Sequence, residues 1–230
     1  MRSSYRSAGR RDAPAGDQPR PEGAITALDP DPRREASVRI FVGGEPYCTV
    51  PRETIAAAGL VVGRVLDDAL HERLGRAADA EGAFRAALRS LEQRAYARGD
   101  LARRLVRRGH PRDAVDAALA RVEALGLLDD AAFARGFVQT RGARGRGPAR
   151  LVRDLLGMGV ERGLIDAAIA AEWPEGTEDS GVPLALASKR AHQLGDLPRP
   201  VKRRRLLAFL ARRGYSGRTV SEVVSRVLGA

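Results

Sequence analysis

From position 84 to the C-terminus, apolar residues recur in steps of three and four, as in helices that bury one face. The recurrence itself repeats. Take Gly109, Gly159 and Gly214 as anchors. Leu101, Leu151 and Leu206 stand eight residues before them, and Leu105, Leu155 and Leu210 four before. Val115, Ile165 and Val220 stand six after, and Leu119, Ile169 and Val224 ten after. The first two columns form one helical stripe, ending at a glycine able to take the left-handed conformation. A short turn comes next, and the last two columns start the second stripe. Pro111 suits a first helical turn, and Ser216 an N-cap. A further helix precedes each pair, at about 84–98, 129–140 and 183–194, so the unit is three helices in about 50 residues.

Upstream the pattern changes. VRIFV and EPYCTV, on either side of Gly43-Gly44, read as a β-hairpin, because two glycines supply the positive φ of a tight turn. Pairing through that turn sets Ile40 opposite Tyr47 and Val38 opposite Thr49, with Pro46 on an edge. A hairpin alone is marginal and leans on the adjoining segment. There PRETIAAAG reads as a short helix stopped at Gly59, and a further helix starts at about Asp67. Residues 1–36 are rich in Arg, Pro, Gly, Asp and Ser and read as a disordered tail. The predicted organisation is therefore tail 1–36, hairpin and short helices 37–82, and repeats at 83–128, 129–173 and 182–230. Residues 174–181 are a linker, and Trp173 beside it is expected to pack at a repeat junction. The fold class is mainly α: tandem three-helix repeats with a small N-terminal hairpin.

Composition sharpens this. Aromatics make up only 4%, so the core is Leu, Val and Ala. The net charge is +11, carried almost wholly by Arg, which predicts a polyanionic partner. A single cysteine, Cys48, permits no internal disulfide, and His71, His110 and His192 are scattered, so no metal or cofactor is expected. The longest apolar runs fall far short of the ~18 residues of a membrane span, and no signal-peptide core is present at the N-terminus. A cytoplasmic location and a monomer are expected.

Asp129 and Asp130, ahead of Phe133, Phe137 and Val138, read as a helix start, where carboxylates accept from free backbone N–H groups. The alternative is a catalytic or metal-binding pair, but neither a His nor a third carboxylate lies nearby. RGARGRGP (141–148) lacks the G-x-x-x-x-G-K-[ST] of a phosphate loop, and it reads as a Gly-rich loop with little side-chain burial. Three basic clusters occupy related places in the three repeats. They are Arg103, Arg104, Arg107 and Arg108; then Arg141, Arg144, Arg146, Arg150 and Arg153; then Lys202, Arg203, Arg204 and Arg205 with Arg212 and Arg213. No acid interrupts 139–153 or 201–213. Guanidinium forks suit DNA phosphates and protein carboxylates alike. No aromatic platform for unpaired bases is evident.

Several motifs stand together in the second unit. Leu127-Leu128-Asp129-Asp130 is followed by Phe133 and Ala134, then by Arg141, Gly145, Gly147, Pro148, Arg150 and Leu151, and Asp154-Leu155 and Gly159-Val160 close the unit. In this combination, and over about 84–228, the chain resembles the RecX family, bacterial regulators of the RecA recombinase. Gly157-Met158 replaces the family's usual basic pair. The resemblance implies an elongated, curved array of repeats that binds the groove of the RecA–DNA filament. It further implies a non-enzymatic inhibitor of ATP hydrolysis and strand exchange, with weak, sequence-independent contacts to single- or double-stranded DNA. Two rivals stand beside it. One is a general DNA-binding or transcription-regulatory protein with helix-turn-helix-like repeats; the other is a small nuclease built on the acidic pair.

Overall fold

The computed structural model describes residues 19–173 and 181–229. The first 18 residues of the expected tail and residues 174–180 of the expected linker lie outside the described residues. Three strands and ten helices succeed one another among those described, in two compact units. One unit holds the described residues up to Arg94 together with Leu101–Leu128; the other holds Ala95–Asp100 and the described residues from Asp129 onward.

The first unit opens on an antiparallel sheet, β1 (Ile25–Asp31), β2 (Arg34–Val42) and β3 (Glu45–Pro51), in that order across the sheet. Gly43 and Gly44 turn β2 into β3 with φ of 60° and 88°, the positive pair a two-residue turn requires. Two sequence expectations are corrected here. The tail does not reach residue 36, because β1 and the start of β2 occupy that stretch. Asp31 makes the β1–β2 turn, accepting from the Arg33 N–H at 2.9 Å. The hairpin register also shifts. Phe41 pairs with Pro46, but Ile40 pairs with Cys48 and Val38 with Val50, so Tyr47 is an extra, bulged residue. Pro46 has no N–H for the ladder, and the bulge absorbs the defect. It also puts Cys48 and Val50 on the face of Val38 and Ile40, toward the core.

A short helix α1 (Arg52–Ala57) leads to α2 (Asp68–Leu91), capped by Asp67, which accepts from the Leu70 N–H at 2.7 Å. The first half of α2 lays Leu70 and Leu74 on Ile25, Ile40, Val42, Val50 and Leu66. Its second half packs on α4 (Arg112–Ala124), where buried Ala83, Ala86 and Ala87 on one helix and Ala114 and Ala118 on the other permit close approach. α2 runs unbroken through residue 82, where the sequence pattern placed a boundary, and ends at Leu91 rather than about 98. A buried carboxylate ties the layers together. Glu81 of α2 accepts from the Ser37 hydroxyl of β2 at 3.2 Å and pairs with Arg121 of α4 at 3.1 Å. The Arg121 guanidinium also lies 4.0 Å from the centre of the Phe84 ring.

The helix α3 (Arg98–Arg107) passes from the second unit into the first, and with α2 and α4 it completes repeat 1. Repeat 2 is α5 (Asp130–Ala143), α6 (Pro148–Met158) and α7 (Arg162–Glu172). Repeat 3 is α8 (Gly181–Gln193), α9 (Arg199–Arg213) and α10 (Arg218–Val227). The apolar columns are the cores of these repeats: Leu101, Leu105, Leu151, Leu155, Leu206 and Leu210 are wholly buried. Gly159 and Gly214 cap α6 and α9 in the left-handed conformation, at φ 85° and 93°. Ser216 does not cap α10, since Gly217, at φ 88°, immediately precedes that helix. Trp173 packs inside repeat 2 against Gly142 and the α5–α7 core, not at a junction.

Candidate functional site

The acidic pair serves two helix starts. The Asp129 carboxylate accepts from the Ala132 N–H at 2.9 Å, capping its own helix α5. Asp130 accepts from the Arg98 N–H at 2.7 Å, at the first residue of α3. Both carboxylates are thus engaged by backbone donors, and the helix-start reading accounts for them. Among the described residues no group of three His, Cys, Asp or Glu side chains is placed to hold a metal ion.

The Gly-rich loop is a packed joint through its backbone, while the side chain of Arg144 is exposed and those of Arg141 and Arg146 are half-buried. Gly142, Gly145 and Gly147 are all buried. The Gly147 N–H donates to the Arg213 carbonyl at 2.8 Å, and the Ala149 N–H to the Gly214 carbonyl at 3.2 Å. A Cβ on Gly147 would fall 2.6 Å from the Gly214 carbonyl carbon, so the loop and the α9 cap meet backbone to backbone. The same joint recurs one repeat earlier: a Cβ on Gly99, in the first turn of α3, would fall 2.8 Å from the Met158 carbonyl oxygen beside the α6 cap. The start of one repeat's second helix therefore rests on the glycine cap of the next repeat's second helix. The glycines showed in the sequence; their partners, about 60 residues away, did not.

This joint also places the basic residues of repeat 2. Arg146 pairs with Asp154 at 2.6 Å, and Arg150 pairs with the same carboxylate at 3.1 Å. The acid-free stretch ends one residue short of Asp154, which offsets part of the charge counted there. Arg141 lies 5.7 Å from the Phe137 ring centre, and Arg153 donates back to the Ala149 carbonyl at 3.3 Å. Arg144 is exposed at the end of α5. In repeat 3, Arg203, Arg204 and Arg205 are exposed on α9 and Lys202 is half-buried; α9 carries no acid of its own. Arg213 turns inward, 5.0 Å from the Phe209 ring centre, with its guanidinium 3.4 Å from the Gly145 carbonyl. In repeat 1, Arg103 and Arg107 are exposed on α3.

The fold and this arrangement define a tandem three-helix-repeat protein with exposed cations on its second helices. Family models for the first, second and third three-helix domains of RecX match residues 83–121, 129–169 and 184–224. The chain belongs to the RecX family of regulatory proteins. It is 38% identical over 144 residues to regulatory protein RecX of Mycobacterium ulcerans (strain Agy99), covering 62% of this chain and 83% of that one. It is 38% identical over 143 residues to the Streptomyces coelicolor protein of the same name, covering 61% and 74%. A crystal structure of regulatory protein RecX superposes with a TM-score of 0.72 at 21% identity, over 90% of this chain and 99% of that one. RecX from Lactobacillus salivarius superposes at 0.57 and 18%, over 65% and 96%. No helix among the described residues is long and apolar enough to cross a membrane.

Proposed function

We propose that this chain regulates a RecA-type recombinase by binding the groove of its DNA filament, without catalysis of its own, and slows ATP hydrolysis and strand exchange. The observation that carries the reading is membership of the RecX family across all three repeats. A protein that binds one filament state better than another shifts the equilibrium by the difference in its affinities. Repeated units suit a repeating target, because each further contact adds to that difference. The proposed contacts are Arg103 and Arg107 in repeat 1, then Arg141, Arg144, Arg146, Arg150 and Arg153 in repeat 2, then Lys202, Arg203, Arg204 and Arg205 in repeat 3. Arg146 and Arg150 are the weakest of these, since Asp154 already engages both. Cytoplasmic location, action as a monomer and weak DNA binding without sequence preference belong to the same proposal.

The test adds the protein to the cognate recombinase on single-stranded DNA and follows ATP hydrolysis. Slowing at substoichiometric protein is expected. Unchanged hydrolysis at equimolar protein, with filament binding confirmed, would refute inhibition.

A further inference from the structure

A well of about 300 Å³ lies between α3 and α4 in repeat 1. Ala102, Val106 and Val115 line it with aliphatic surface, and Arg103, Arg107 and Arg112 stand around it, with Asp116 as its acid. Val115 is buried, whereas Val106 keeps 38% of its surface exposed. A single exposed valine is ordinary. Part of the set returns 50 residues later: Leu156 is 45% exposed on α6, with Arg153 three residues before it and Arg162 six after, matching Val106, Arg103 and Arg112, while Gly157 stands in the place of Arg107 and Arg162 pairs with Asp166 at 2.8 Å. Repeat 3 has Ala211, Ala208 and Gly217 at the corresponding positions, so the pattern is not a by-product of the repeat.

An aliphatic well ringed by guanidinium groups has two complementary features to satisfy. Its walls take a large apolar side chain, and its rim takes carboxylates. A nucleic-acid strand meets only the second. Unpaired bases are held by aromatic stacking and by edge-reading amides, and neither lines this well.

We propose that the α3–α4 well of repeat 1 seats a large apolar side chain from an acidic helical segment of a protein partner, with Arg107 and Arg112 engaging the carboxylates that flank it. The partner's identity rests on the proposed function: the segment belongs to the protein of the filament and not to its DNA.

The test measures binding of the full chain to the recombinase filament, to bare single-stranded DNA, and to a fluorescein-labelled, Glu-rich helical peptide with one central Leu. Val106→Asp is expected to weaken filament and peptide binding about tenfold or more, the loss typical of a buried apolar anchor, and to leave bare-DNA binding unchanged. Arg107→Glu, which leaves the aliphatic walls unchanged, should weaken the same two targets and guards against a folding defect in Val106→Asp. The inference is overturned if Val106→Asp leaves both affinities unchanged, or if it weakens bare-DNA binding equally. It is also overturned if the protein self-associates through this face, so that Val106→Asp dissolves a dimer. If the wild-type protein binds the peptide through Val106 but not the filament, the well stands and the proposed function falls. If it binds neither, both fall.

Discussion

Gly147→Ala tests the joint between repeats 2 and 3. Gly147 has φ −80° and ψ 164°, which alanine adopts without backbone strain, so the local cost is small. The larger cost is steric. The new Cβ would lie 2.6 Å from both the carbonyl carbon and oxygen of Gly214 and 2.8 Å from the Tyr215 nitrogen, all backbone atoms that cannot rotate away. Relief requires the start of α6 to part from the α9 cap, stretching the hydrogen bonds now at 2.8 Å and 3.2 Å. Overpacking of this kind costs about 1–3 kcal/mol. Two weakened hydrogen bonds add about 0.5–1.5 kcal/mol each. The expected loss is therefore about 2–6 kcal/mol in urea unfolding followed by circular dichroism, with faster amide exchange at Ala149. Gly157→Ala is the control. It lies within α6, its Cβ would meet nothing within 4 Å, and helix propensity predicts a gain of up to about 1 kcal/mol. A Gly147→Ala variant as stable as wild type, with Ala149 exchange unchanged, would refute the joint.

Single groups give further expected outcomes. Glu81→Ala should cost about 3 kcal/mol, the low end for breaking a buried pair because Arg121 is partly exposed, measured by urea unfolding; a loss below about 1 kcal/mol would remove Glu81 as the tie between sheet and helices. Burial pushes the Cys48 thiol from 9.0 up to about 12, leaving roughly a thousandfold less thiolate, so reaction with a disulfide reagent at about pH 8 should be slow until the protein is unfolded. Burial lowers His110 below 6.5, so the folded state binds fewer protons than the unfolded one just below that pH; stability should fall as the pH drops through 6.5, and His110→Gln should flatten that part of the curve. Replacing Arg141 and Arg144 by Ala should reduce the salt slope of single-strand binding by about 0.7 for each phosphate no longer neutralised, or else weaken only filament binding if their partners are carboxylates.

The repeat architecture was legible in the chain because helix burial is periodic and local. A helix must turn its apolar residues to one side, so four columns anchored on Gly109, Gly159 and Gly214 disclosed three units. The Asp129 cap was legible for the same reason, since its partner is three residues away. The cation clusters were legible as clusters, but the share of their charge held by Asp154 was not, because ion pairing depends on how the loop folds back onto α6.

What the sequence alone determined is therefore the set of elements whose partners lie within a turn or two: the helices of repeats 2 and 3, the Asp129 cap, the glycine caps of α6 and α9, the Gly43-Gly44 turn and the repeat period. Only the tertiary structure decided the rest. β1 reads as tail because ITALDPD carries too few apolar residues to commit to a strand, and β2 supplies the pairing that makes it one. The bulge at Tyr47 exists because the ladder must pass a proline while keeping Val50 on the core side. α2 is continuous because the sheet and α4 bury its two halves in turn. Gly99 and Gly147 are fixed by backbone atoms that lie about 60 residues farther along the chain. In each case the deciding contact joins residues distant in sequence, and the free energy that selects the local conformation resides in that contact.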